Sequence, residues 1–149
     1  MAADSVGDDE VLFRSVSVKH SQCKRDEAGR WKLSSQAFAD RTQKPSVDRA
    51  ILCNSDPFFT QKSPKDGVVS VVAVEVRGIK GVTQNDTNGN VVMTHAFDVI
   101  PNPIIPDNPA HALIVSTPDY SKPRVFKKLL ERLRYIADRR GWMIEPQGE

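Results

Sequence analysis

The side chains best suited to ligand binding or catalysis occur in two parts of the sequence, the predicted strand Glu10–Val18 and the polar segment Arg30–Arg49. The candidate ligand-binding residues are Arg14, Ser34, Arg41, Ser46 and Arg49. Guanidinium forks and serine hydroxyls suit phosphate or carboxylate groups, because several donors converge on one anion with fixed geometry. Asp48 is a catalytic candidate, since it could orient the neighbouring guanidinium or act on a ligand hydroxyl. The alternative is structural: Ser and Asp cap turns, and neighbouring Asp–Arg pairs at a surface stabilise little.

Two histidines form the second group of catalytic candidates. His95 lies on the apolar face of a predicted strand, and His111 shares a face with Leu113. Each is either a core histidine whose ring is satisfied by hydrogen bonds, or one of a pair that meets across adjacent strands to bind a ligand or transfer a proton. A metal site needs three or four ligands, and Asp98 leaves the opposite face of its strand from His95, so we predict no metal.

The sequence contains no signature of a bound cofactor. It has no Gly-x-Gly-x-x-Gly, no phosphate-binding Walker loop and no Gly-x-Ser-x-Gly. Neither His95 nor His111 is followed two residues later by the hydroxyl that a two-histidine phosphoesterase motif requires. Cys23 and Cys53 form no Cys-x-x-Cys motif, and we expect free buried thiols in a reducing cytoplasm. We therefore predict no cofactor.

A predicted C-terminal helix over residues 121–140 carries eight Lys and Arg against two Asp and Glu. An excess of six positive charges could contact nucleic-acid phosphates or an acidic protein partner, and Lys127, Lys128 and Arg134 would form that face. The alternative is the solvated side of an amphipathic helix.

Four short blocks occur in order along the chain: an aromatic residue before Arg14, Ser-x-Ala-Phe ending at Phe38, Ser-Val-Asp ending at Asp48, and His-Ala at His111. The ordered set resembles a group of small uncharacterised bacterial proteins over roughly residues 11–140. That group has no known activity, so the resemblance implies a bacterial or phage-derived cytoplasmic protein and no reaction. It points to six positions for testing, namely Arg14, Ser34, Phe38, Ser46, Asp48 and His111.

The secondary-structure elements that position these residues can be predicted from the sequence, and their order indicates an α+β fold. We expect a mostly antiparallel sheet of four to five strands packed against a long C-terminal helix. Asn88-Gly89 predicts a hairpin, and the apolar residues that follow Pro123 recur at the helical period. The predicted strands are Glu10–Val18, Val68–Arg77, Asn90–Ile100 and Ala110–Ser116, and the predicted helix is Ser121–Arg140, with Ser121 as its cap.

Length and composition set the remaining limits. The chain has 149 residues, 39% hydrophobic and 27% charged, with a net charge of +2. These values predict one domain over residues 11–149 and exclude collagen-like, disulfide-scaffold and membrane-spanning classes. Residues 1–10 are acidic and predict a disordered tail.

Three functions remain open. The first is a small cytoplasmic bacterial binding or interaction module of unknown activity, with a protein partner, that is one component of a larger system such as a defence or toxin–antitoxin system. The second is an enzyme that uses a nucleotide or NAD, with an ADP-ribosyltransferase-like order of Arg, Ser and His. The third is nucleic-acid binding through the basic helix. A single cleft shared by Arg14, Ser46, Asp48 and His111 would favour a ligand site over scattered surface residues.

Overall fold

The fold is an antiparallel sheet with one long helix on one of its faces, described here from a computed structural model over residues 5–119 and 123–147. The strands are β1 (Val11–Val16), β2 (Cys23–Arg25), β3 (Trp31–Leu33), β4 (Ser46–Arg49), β5 (Gly67–Val72), β6 (Thr83–Asn85), β7 (Val91–Thr94), β8 (Ala96–Pro101), β9 (His111–Thr117) and β10 (Trp142–Ile144). The helices are α1 (Ala73–Arg77) and α2 (Pro123–Arg140), and short 3₁₀ turns cover Ala50–Leu52 and Pro57–Phe59.

Six strands form the main sheet in the order β10-β5-β1-β4-β9-β8, and every neighbouring pair is antiparallel. The helix α2 buries its apolar stripe, including Val125, Leu129 and Leu133, in the core that it shares with the sheet. The predicted α+β class, with a mostly antiparallel sheet and a long C-terminal helix, is confirmed. The proposed cap Ser121 lies outside the described residues. No helix in the described ranges is long and apolar enough to cross a membrane.

The predicted strand Val68–Arg77 ends early. Its β-branched residues favour an extended chain, but β5 stops at Val72 and residues 73–77 form α1. The amide of Ala73 donates to the carbonyl of Glu10 at 3.0 Å, and the amide of Val74 donates to that of Asp8 at 2.9 Å. Contacts with the N-terminal segment therefore override the local preference for a strand.

The same contacts place residues 5–10 against the domain, where the sequence predicted a disordered tail. Val6 is buried in the main core. The carboxylate of Glu10 receives two hydrogen bonds of 2.8 Å from the guanidinium of Arg49. Arg77 donates to Asp8 and to the carbonyl of Val6, both at 2.7 Å. The prediction fails for this part because the acidic side chains have cationic partners that are distant in the sequence.

Two further regions differ locally from the sequence-based prediction. Residues 23–33 form a hairpin outside the four predicted strands: β2 pairs with β3, and Asp26 accepts hydrogen bonds from the amides of Ala28 and Arg30 in the turn. The predicted strand Asn90–Ile100 is divided at His95 into β7, which pairs with β6, and β8, which pairs with β9. The turn between β6 and β7 contains Gly89 at a φ of 83°, a left-handed conformation that glycine adopts without strain.

Candidate functional site

A cleft opens on the face of the sheet opposite α2, because β1 and β4 separate. The two strands pair only at Leu12 with Arg49 and at Phe13 with Asp48, whereas β1 stays paired with β5 as far as Val16. The resulting space has a volume of about 750 Å³. Its lining residues come from β1, β4 and β9, from residues 17–22 and 60–66, and from the loop before β9.

Arg14 bridges the gap between the separating strands. Its guanidinium donates to the carbonyl oxygens of Ser46 (3.0 Å), Ala39 (2.8 Å) and Ala37 (3.2 Å), and it lies over the ring of Phe38. Burial lowers the pKa of Arg14, and the nearby charge of Asp40 partly offsets this effect. All of these hydrogen bonds end on neutral oxygens, so a buried positive charge lines the cleft with no carboxylate of the described residues in direct contact.

A cross-strand row of side chains forms the base of the cleft. Phe13 pairs with Asp48, and Asp48 pairs with His111, so the three residues lie side by side on β1, β4 and β9. Directly paired residues have Cβ atoms about 4.5–5.5 Å apart. Asp48 is 8% exposed, and its two oxygens accept hydrogen bonds of 2.8 Å from the Thr60 hydroxyl and the Asn108 amide. Asp48 is thus held in a fixed orientation by neutral donors.

His111 is held by the loop that leads into β9. Its Nδ1 lies 2.9 Å from the carbonyl oxygen of Asn102, and the amide of Asn102 donates to the carbonyl of His111 at 2.9 Å. A carbonyl oxygen only accepts, so Nδ1 carries the proton and Nε2 of the neutral ring has a lone pair. The half-buried ring lines the cleft, so this lone pair belongs to a side chain that a ligand can approach.

Cationic side chains occur on the two remaining walls. Lys19 and His20 follow β1, and Lys62 and Lys65 lie in the segment before β5. The amide of Lys62 donates to the hydroxyl of Ser15 at 3.4 Å, which ties the second segment to β1. The three lysines are exposed. Sequence reasoning missed them, because these loops have no periodic pattern; the only signal is the clustering of Lys62, Lys65 and Ser63 around a proline.

The carboxylates of the cleft are engaged with neutral groups. Asp66 accepts a hydrogen bond from the amide of Val18 at 3.1 Å, and Asp40 accepts from the amide and hydroxyl of Thr42 at 2.9 and 2.7 Å. In contrast, the ammonium groups of Lys19 and Lys62 form no ion pair or hydrogen bond within the described part of the chain. The charges of these two lysines are therefore available to a ligand.

The predicted site residues divide into two groups. Arg14, Ser46, Asp48 and His111 line the same cleft. Ser34, Arg41 and Arg49 do not. Ser34 donates to the carbonyl of Ser21 at 2.7 Å, Arg41 is exposed elsewhere, and Arg49 points to the other face of β4, where it binds Glu10. Neighbouring residues of a strand face opposite sides, which explains why Asp48 reaches the cleft and Arg49 does not.

The alternative in which His95 and His111 meet across adjacent strands does not occur. His95 is buried and immediately precedes β8, close to Pro118, which follows β9. Its Nδ1 lies 2.8 Å from the carbonyl oxygen of Pro118 and 2.9 Å from the hydroxyl of Ser116. His111 begins β9 at the opposite end of that ladder. The rise of about 3.3 Å per residue separates the two by roughly 20 Å along the strand. His95 therefore fits the interpretation of a core histidine.

Several cations of α2 are bonded to neighbouring parts of the fold. Lys128 donates to the carbonyl of Thr83 at 2.8 Å, Arg132 donates to that of Lys80, and Arg134 pairs with Glu131 at 3.6 Å. Lys127 is exposed and points away from the apolar stripe. The nucleic-acid or partner face at Lys127, Lys128 and Arg134 stays a prediction, with fewer unengaged charges than the sequence suggests.

Among residues 5–119 and 123–147 there is no group of three or more His, Cys, Asp and Glu side chains that could hold a metal ion. Both cysteines are free and buried. Burial raises the pKa of the Cys23 thiol to about 11, and burial together with the charge of Asp48 raises the pKa of the Cys53 thiol. Neither thiol is therefore poised for nucleophilic chemistry.

Comparison of the chain with protein-family models, curated proteins and solved structures found no match.

Proposed function

We propose that this protein is a binding module that takes a small anionic ligand, such as a nucleotide or another phosphorylated metabolite, in the cleft between β1 and β4. The observation that carries the proposal is the unequal engagement of charges. The carboxylates of the cleft accept hydrogen bonds from neutral protein groups, while Lys19 and Lys62 have no anionic partner in the described ranges.

The buried charge of Arg14 supports the same conclusion. Its donors serve backbone carbonyls, so it contributes positive potential to the cleft rather than a direct ligand contact. A charge in a site shielded from water interacts more strongly with an anion than it would in bulk solvent. The volume of about 750 Å³ lies within the range typical of small-molecule sites, about 300–1,000 Å³.

The proposal retains the binding-module hypothesis and gives it a ligand class. A role for such a module in a bacterial defence or toxin–antitoxin system, and a protein partner for it, stay predictions. The cleft residues Arg14, Ser46, Asp48 and His111 are also those that the enzyme hypothesis requires, so the same ligands test that alternative.

The test is ligand binding measured by calorimetry and thermal shift against inorganic phosphate, pyrophosphate, AMP, ATP, NAD and cyclic nucleotides. A ligand present at 100 times its Kd stabilises the folded state by about 2.7 kcal/mol, which should raise the Tm by about 5–11 °C for a chain of this length. No stabilisation by any compound in this set would refute the proposal.

A charge-matched pair of variants locates the site. Lys19→Glu/Lys62→Glu reverses two lysines of the cleft, whereas Lys24→Glu/Lys127→Glu reverses two exposed lysines that lie outside it. We expect the first variant to weaken binding by about tenfold or more, since each tenfold loss corresponds to only about 1.4 kcal/mol. Equal weakening in both variants would show an effect of net charge and would remove the cleft as the site.

A further inference from the structure

The end of the cleft at His111 and Asp48 differs chemically from the lysine walls. Asp48 offers carboxylate lone pairs, and each of its oxygens has accepted one hydrogen bond from a neutral donor, at Thr60 and at Asn108. A carboxylate oxygen has two acceptor positions, so capacity remains on both. A phosphate placed here would be repelled by the Asp48 charge.

His111 adds a second acceptor at this end. Because its Nδ1 proton is committed to the Asn102 carbonyl, the neutral ring can only accept through Nε2. Nε2 has no hydrogen-bond partner within the described residues, and the ring lines the cleft. A group that donates a hydrogen bond, such as a hydroxyl, complements this nitrogen.

The loop before β9 makes this end rigid. The amide of Ile104 donates to the carbonyl of Asn108 at 2.9 Å, and the amide of Asn108 donates back to the carbonyl of Ile104 at 2.6 Å. Asn108 also accepts from the amide of Ala110 while its own side-chain amide group holds Asp48. The acceptors at Asp48 and His111 are therefore fixed by one hydrogen-bonded unit before any ligand arrives.

We infer that the ligand of this cleft is a phosphate ester of a hydroxylated sugar, of the sugar-phosphate or ribonucleotide class, whose 2-hydroxyl group donates to Nε2 of His111. The inference rests on the proposed function, because the phosphate is assigned to the lysine walls. His111 on β9 lies two strands from β1, about 10 Å at ordinary strand spacing, and Lys62 adjoins β1 through its hydrogen bond to Ser15. A sugar phosphate can therefore extend from the lysine side of β1 toward His111.

The experiment compares three probes by calorimetry: ribose 5-phosphate, 2-deoxyribose 5-phosphate and inorganic phosphate. We expect the ribose compound to bind about five- to tenfold more tightly than the deoxy compound, which is the value of one hydrogen bond to a neutral acceptor. His111→Ala should abolish this preference and should weaken the binding of ribose 5-phosphate more than that of inorganic phosphate. His111→Gln, whose amide oxygen accepts a hydrogen bond, should restore part of it.

His20→Ala is the matched control, because His20 lines the lysine walls of the same cleft. This variant should leave the preference for ribose intact. If inorganic phosphate and both sugar phosphates fail to bind, the proposed function itself is wrong. If all three probes bind, but the affinity of each probe is the same for the wild type and for His111→Ala, anion binding stands and the hydroxyl contact is refuted. Loss of the preference in His20→Ala as strongly as in His111→Ala would also overturn the assignment to Nε2.

Discussion

Removing the charge of Glu10 should destabilise the fold far more than removing any exposed acidic charge. The guanidinium of Arg49 and the carboxylate of Glu10 form two parallel hydrogen bonds of 2.8 Å, and Arg49 also donates to the carbonyl of Ser5 at 2.9 Å. The two side chains are only 3% and 9% exposed. The variant Glu10→Gln keeps the shape of the side chain and removes the carboxylate that accepts these two hydrogen bonds from the buried Arg49 guanidinium.

The size of the effect follows from this burial. Breaking a buried ion pair by removing one partner costs about 3–5 kcal/mol, because the other buried charge loses its Coulomb attraction and charge-assisted hydrogen bonds. The amide of the substituted side chain still offers one carbonyl oxygen, so we expect the lower part of that range, about 3 kcal/mol. For a chain of about 150 residues this corresponds to a fall in Tm of roughly 6–12 °C.

The measurement is urea unfolding of the wild type, Glu10→Gln and Asp8→Asn, with the slope m compared to exclude a change in the denatured state. Asp8→Asn is the matched control, since Asp8 pairs with Arg77 but its side chain is 71% exposed. Exposed pairs contribute about 0–1 kcal/mol. Losses of equal size in the two variants would refute the conclusion that residues 5–10 are an integral part of the core.

Two further outcomes follow from the same contacts and from the packing beside β5. Burial raises the pKa of Glu10, but hydrogen bonds from Arg49 and from the amide of Gly7 outweigh this effect and leave the pKa below its ordinary value. The stability that Glu10 contributes should therefore be full above its unfolded-state pKa and should be lost as the pH falls through its folded-state pKa. Urea unfolding from neutral pH down to about pH 3.5 should show that the free energy of unfolding depends less steeply on pH in Glu10→Gln than in the wild type. Gly67→Ala should lower the free energy of unfolding by about 1–3 kcal/mol, because the added Cβ would lie 2.6 Å from a ring carbon of Trp142. Trp142→Leu should recover part of that loss in a double-mutant cycle. Strictly additive effects of the two substitutions would contradict the steric explanation.

The parts of the fold that the sequence predicts are those with a strong local pattern. The stripe through Val125, Leu129 and Leu133 has the period of a helix and is buried as expected. The segment 73–77 has an equally strong local preference, for a strand, and it fails because the amides of Ala73 and Val74 bind the N-terminal segment. Tertiary hydrogen bonds between residues more than sixty positions apart leave no trace in a local window.

The sequence predicts the candidate site only in part, because some of its residues lie in loops that carry no recognisable local pattern. Arg14 and Asp48 are selected from the sequence by the chemistry of their side chains and of the Arg, Ser and Asp residues near them in the chain, and both line the cleft. The lysines of the walls lie in loops, where a charged residue is the ordinary case. Their importance depends on the separation of β1 from β4, which is a property of strand order and register.

Arg14 shows how a correctly chosen residue can have a different role from the one first assigned to it. The sequence suggested a direct contact with a ligand, but the guanidinium donates its hydrogen bonds to the carbonyl of Ser46 on β4 and to those of Ala37 and Ala39 in the segment before β4. The same side chain therefore connects the strands where ladder pairing has stopped and places a buried charge beside the space that this separation creates. Because one residue supplies both the bridge and the charge, the shape of the cleft and its positive potential are coupled. In the function we propose, the exposed lysines select where an anion lies, and the acceptors at Asp48 and His111 select what it carries.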